Sequence, residues 1–110
     1  MSGLRRILPG VWAILCMVDA GPAVAKTWVV TIEQMRFVPS TLTVQRGDSV
    51  VWVNRDLVAH TASTDAKAFD SGSIAPEASW RDVMSEPGRH PYGCRFHPAM
   101  RGTLVVEPTP

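Results

Sequence analysis

Near the C-terminal end of this sequence a thiol, an imidazole and a thioether recur every three residues: Cys94, His97 and Met100, within Tyr92-Gly93-Cys94-Arg95-Phe96-His97-Pro98-Ala99-Met100-Arg101-Gly102. The segment lies between two expected strands, so a short loop closing between them can turn all three toward one point. A second imidazole, His60, sits far upstream, after another apolar run. One thiolate, two imidazoles and one weak sulfur donor make up a trigonal His₂Cys plane with a long axial Met, the donor set of a type 1 copper site. Soft sulfur suits Cu(I) and imidazole suits both oxidation states, so a geometry between the two preferences lets an electron pass with little rearrangement. The competing chemistries are an inert buried cysteine and a thiol nucleophile with His97 or His60 as its base. The second needs an oxyanion-hole loop and a substrate pocket, and no segment of the sequence reads as either; the protein is not expected to be an enzyme.

The rest of the chain must hold those four side chains. At 110 residues, with eleven Lys/Arg against ten Asp/Glu and two cysteines, it has room for one domain, and it lacks the basic block that phosphate binding requires. No nucleic-acid partner is expected. Residues 1–25 read as a cleavable signal peptide: Arg5 and Arg6, an apolar run from Ile7 to Val18, then Ala23-Val24-Ala25 as the cutting site. The run is short for a span of ~20 apolar residues, so contact with the membrane is expected only in transit. Removing Arg5, Arg6, Asp19 and Cys16 leaves residues 26–110 with nine basic and nine acidic side chains and one cysteine, Cys94. A single thiol in an oxidising compartment has no internal disulfide partner. Metal ligation explains its presence best.

Residues 26–110 read as all-β. Strands are expected over 28–32, 42–44, 49–53, 79–84, 89–94 and 102–107, with weaker ones near Phe37 and over 61–64. Pro39, Pro76, Pro87 and Pro98 punctuate the joints. The stretch 59–68 reads as a loop or loose edge with room for one helical turn. Trp28, Trp52 and Trp80 fall on inward positions, and Met35 and Met84 read as core.

With these elements placed, the chain resembles the cupredoxins, and its ligand loop is most similar to that of the amicyanins, with plastocyanin and pseudoazurin as further likenesses. The resemblance rests on Met35-Arg36-Phe37-x-Pro39, Leu42-x-Val44-x-x-Gly47-Asp48, Val51-Trp52-x-Asn54-x-Asp56, His60-Thr61, Phe69-Asp70-Ser71-Gly72, Gly88, Tyr92 and Cys94 to Gly102. It implies a Greek-key β-sandwich of about eight strands. It also implies one copper ion held by His60, Cys94, His97 and Met100, with Asn54, Asp56 and Thr61 bracing the ligand loops. The implied role is one-electron transfer in the periplasm by a monomer, between partners such as a periplasmic dehydrogenase and a c-type cytochrome. An exported protein that stores or delivers copper would use the same ligands.

Three positions depart from the family pattern. Thr61 stands where Asn often ties the two ligand loops, Ala59 where Pro is frequent, and His90 where the strand leading to cysteine usually carries an aromatic ring. Strand parity puts His90 on the face of Tyr92 and Cys94, as a packed, hydrogen-bonded residue half-buried near the site. Ala59, Pro98 and Ala99 are expected to surround His97 with small apolar groups, and Arg95 and Arg101 to steer an acidic partner.

Overall fold

Val30, Ile32, Val50 and Trp52 are the apolar halves of two alternating runs. In the computed structural model, which describes residues 24–66 and 68–108, none of the four has any exposed surface. Their strands, β1 (Thr27–Glu33) and β4 (Ser49–Asn54), lie side by side and parallel, with Val30 opposite Trp52 and Ile32 opposite Asn54. β2 (Arg36–Val38) pairs antiparallel with β1, and β6 (Ser79–Val83) antiparallel with β4, giving one sheet in the order β2-β1-β4-β6. The second sheet runs β3-β8-β7-β5, from β3 (Thr41–Gln45), β8 (Arg101–Glu107), β7 (Gly88–Gly93) and β5 (Ser63–Thr64). The chain passes repeatedly from one sheet to the other, and the two inner faces close on each other as in a Greek-key sandwich.

The strands match the sequence reading to within one or two residues. The stretch 59–68 forms β5 and turns, with no helix among its described residues. The expected signal peptide falls almost wholly outside the described residues, except for Val24 and Ala25, both exposed.

Between the sheets the centre of the core is aromatic. The Trp52 ring lies 5.2 Å from Phe69, 5.3 Å from Trp80 and 5.7 Å from Tyr92, and Phe37 packs edge-on against Tyr92. Trp52 is wholly inside, whereas Trp28 and Trp80 are half-buried at its margin. Burial pushes the Tyr92 phenol up to about 12, and the Trp52 indole N–H, which finds no partner of hydrogen-bond geometry, is too poorly placed to offset it. Gly102 is required here by close approach: a Cβ at that position would sit 2.5 Å from Cζ of Tyr92. The bare backbone of β8 at Gly102 lets the Tyr92 ring approach it closely.

Met84 is buried, as its pattern predicts, but Met35 is 42% exposed. It lies outside the core because Gln34 and Met35 form the tight turn between β1 and β2, both with positive φ (53° and 59°). Such a two-residue turn favours Asn-Gly, a signal absent here, so the apolar side chain misleads. His90 is half-buried and hydrogen-bonded, its Nε2 lying 2.7 Å from the carbonyl oxygen of Glu86. It lines a surface cavity with Phe69, Asp82 and Met84, beside the β6–β7 connection rather than at the ligand loops.

Candidate metal centre

β4 and β7 end at the same pole of the sandwich, one in each sheet, and the chain beyond each end carries the chemistry. After β4, Asn54 is wholly buried and bends the chain back: its Nδ2 donates to the carbonyls of Val58 (2.9 Å) and Ile74 (3.0 Å). That clamp delivers His60, which exchanges two backbone bonds with Ile74 and is fully buried. After β7, Cys94 is buried, His97 half-buried and Met100 buried, and the Met100 N–H donates to the carbonyl of His97 at 2.9 Å to close the loop before β8.

The structure brings His60, Cys94 and His97 together, their ligand atoms all within 4.8 Å of one another. Sγ of Cys94 lies 3.7 Å from Nδ1 of His60 and 3.7 Å from Nδ1 of His97. Two donors bound at ~2.0–2.3 Å to one ion and ~120° apart are separated by about 3.7 Å, whereas a tetrahedral angle brings them nearer 3.5 Å. Both sulfur–nitrogen distances therefore suit donors to a single ion. Met100 is buried on the same loop, and the Asp56 carboxylate reaches the group through His60.

Each donor has a partner that fixes its orientation. The other ring nitrogen of His60, Nε2, lies 2.7 Å from Oδ2 of Asp56. A carboxylate accepts, so Nε2 carries the proton and Nδ1 is left with its lone pair facing Cys94. Asp56 is itself held by the N–H groups of Gln34 (2.7 Å) and Met35 (3.0 Å). The β1–β2 turn thereby leans on the residue that orients His60, which explains how two non-glycine residues are kept at positive φ. Partial burial raises the Asp56 pKa, but the N–H of Met35, the His60 ring and the N–H of Gln34 outweigh it and hold the carboxyl below the usual range.

Thr61 performs the loop tie that the departure from Asn put in question. Its N–H points at Sγ of Cys94 (3.3 Å), and its hydroxyl oxygen accepts from the N–H of Arg95 (2.9 Å) and from Ser63 (3.2 Å). The shorter side chain is sufficient because the backbone itself reaches the sulfur. One brace has no warning in the sequence. Arg95 pairs with Asp70 at 2.6 Å, and Asp70 also accepts from Ser63 and from the N–H of Gly72. The Gly72 N–H, opposed by burial and helped by Ser63 and Arg95, keeps Asp70 below its ordinary pKa. Arg95 is thus committed to the loop, whereas Arg101 makes no ion pair among the described residues.

The family model of the cupredoxin-like domain matches residues 6–106. The chain is a cupredoxin. Amicyanin of Paracoccus versutus is 30% identical over 95 residues, covering 82% of this chain and 72% of that one. Plastocyanin of Scenedesmus fuscus is 30% identical over 84 residues, covering 64% and 86%. Among solved structures, an amicyanin variant in its Cu(I) form superposes with a TM-score of 0.70 at 30% identity, covering 77% of this chain and 86% of that one. Copper is the metal that the donor set of this cupredoxin suits: one thiolate and two imidazoles gathered around one point, with His60 and Cys94 buried and His97 partly open.

Replacing Asp56 by Asn tests the orientation of His60. The new amide would set a donor against the N–H of Met35 and favour the tautomer with its proton on the Cys94 side. Copper affinity, measured by competition with a chelator, is expected to fall 10–100-fold with the β-sheet circular dichroism unchanged. An unaltered affinity would remove Asp56 from the site.

Proposed function

We propose that this cupredoxin is an exported one-electron carrier of the periplasm, with residues 26–110 as its working domain after cleavage behind Ala25. His60, Cys94 and His97, with Met100 on the same loop, would hold the copper ion. The observation that carries this reading is the asymmetry of the site: His60, Cys94 and Met100 are buried, while His97 alone is partly open to solvent. When bound, copper supplies the redox couple. The chain does the rest. Asp56 and Thr61 hold His60 and Cys94 in place. The burial of His60 and Cys94 keeps water from the inner side, and the His97 ring offers the short path outward.

The surface of the two ligand loops supports docking of a redox partner. Pro98 and Ala99 are exposed as expected, Ala59 is half-buried, and the loops add Leu57 (93% exposed), Val58 and Phe96 (52%) to the apolar rim. Such a rim lets a partner approach closely and exclude water. A periplasmic dehydrogenase as donor and a c-type cytochrome as acceptor are consistent with the amicyanin likeness.

Relay and copper delivery use the same ligands but differ in kinetics. A braced site predicts fast electron self-exchange and slow loss of copper. Line broadening in mixtures of Cu(I) and Cu(II) protein measures the first, and transfer to a chelator the second. Rapid loss of copper without detectable self-exchange would favour storage or delivery.

A further inference from the structure

At the pole opposite the metal centre lies a buried carboxylate that the electron-transfer reading does not use. Asp48 is 3% exposed. Its Oδ2 accepts from Nε1 of Trp28 (2.9 Å) and from the N–H of Gln45 (3.0 Å). Its Oδ1 accepts from the backbone nitrogen of Lys26 at 2.8 Å. No Lys, Arg or His among the described residues forms an ion pair with it. The ammonium of Lys26 itself lies over the Trp28 ring, 5.9 Å from the centroid. The carboxyl is held below its ordinary pKa chiefly by the Lys26 N–H, then by Trp28 and Gln45, against the opposing effect of burial. The Lys26 ammonium adds a weaker attraction without pairing directly, so this carboxylate has no cation in contact with it.

Lys26 is fixed on its other side too, since its carbonyl accepts from the N–H of Ser49 at 2.9 Å. Its nitrogen is therefore anchored at Oδ1 from the strand side, and Val24 and Ala25 before it are exposed. We propose that Asp48 is the receptor for the α-ammonium released when the leader is cut between Ala25 and Lys26, so that this ion pair exists only in the processed chain. Hydrolysis adds the hydroxyl of water to the Ala25 carbonyl carbon and a hydrogen to the Lys26 nitrogen, which takes a second proton from solvent. A neutral N–H···O⁻ bond becomes a charge-assisted pair of the same geometry, roughly twice as strong. Processing thereby stabilises the end of β1 and the β3–β4 turn that Asp48 closes.

The inference rests on the export reading, and the test separates the two. The full-length gene is expressed in an exporting bacterium and the product weighed by mass spectrometry. A chain beginning at Lys26 is expected, and cleavage at any other bond overturns both the cutting site and the pair. The α-amine of that chain is then titrated by nuclear magnetic resonance. It is expected to titrate about one unit or more above the ordinary ~7.7–8.0, a tenfold or greater preference for the ammonium. A second gene carries one alanine inserted before Lys26, so that its processed amine lies one residue further out, and it should titrate in the ordinary range. Because the folded pKa is raised, the extra stability is present in full below the ordinary α-amino range and is lost as pH rises through the raised value. The urea midpoint of the native processed chain should accordingly exceed that of the inserted one at pH 7 and converge with it in alkali. An ordinary titration of the Lys26 amine, or equal midpoints at pH 7, overturns the receptor role while leaving the export reading intact.

Discussion

Cys94→Ser is expected to abolish the intense visible absorption of the copper-loaded protein. That absorption needs a thiolate bound to Cu(II), and Cys94 is the only cysteine among the described residues, buried and 3.7 Å from each imidazole nitrogen. A serine hydroxyl is a hard, weakly acidic donor that does not replace a soft thiolate at neutral pH. It also leaves the Thr61 N–H, which now points at the sulfur, facing a shorter side chain. Copper affinity should fall by at least about 100-fold, beyond the 10–100-fold typical of losing an outer partner. The fold should persist, because the side chain fills little of the core. Absorption spectra of copper-loaded wild-type and variant proteins, with circular dichroism as the control for folding, decide the matter. A surviving band would place the thiolate role elsewhere.

Trp52→Ala should have the largest effect on stability. The ring is wholly buried against Phe69, Trp80 and Tyr92, and truncation leaves a cavity where both sheets meet. Losses of about 3–5 kcal/mol are typical for such a change, a large share of the ~5–15 kcal/mol that stabilises a domain. The indole N–H is unpartnered in the native protein, so its removal returns part of that cost. With a urea slope of ~1–3 kcal/mol/M, the unfolding midpoint should drop by about 1 M or more. A midpoint within experimental error of wild type would mean that the aromatic wall is not the keystone of the core.

The fold was legible where alternation is clean. Val30, Ile32, Val50 and Trp52 show which faces turn inward, and Tyr92 and Cys94 continue the pattern to the ligand loop. The parallel pairings of β1 with β4 and of β3 with β8 were not legible, since they join segments with no shared turn. β5, two residues long, is also beyond a periodicity argument. At the site, residue chemistry and spacing brought out His60, Cys94, His97 and Met100, and the structure gathers the first three around one point. The braces were only partly visible. Asn54, Asp56 and Thr61 stand close to a ligand in sequence or within its motif. Asp70 is 25 residues from Arg95, and its contact depends on how β5 turns beside β7. Met35 misled because its turn is stabilised by a distant carboxylate rather than by Asn-Gly. His90 misled because parity specifies a face of a strand but not a position along it.

The central claim is that His60, Cys94, His97 and Met100 form a type 1 copper site. The most direct measurement is the optical spectrum of the purified, processed protein on addition of one equivalent of Cu(II). The site described here predicts an intense thiolate-to-copper band that saturates at one copper per chain and bleaches on one-electron reduction. Only the weak absorption of ordinary Cu(II), with Cys94 still open to alkylation, would contradict it.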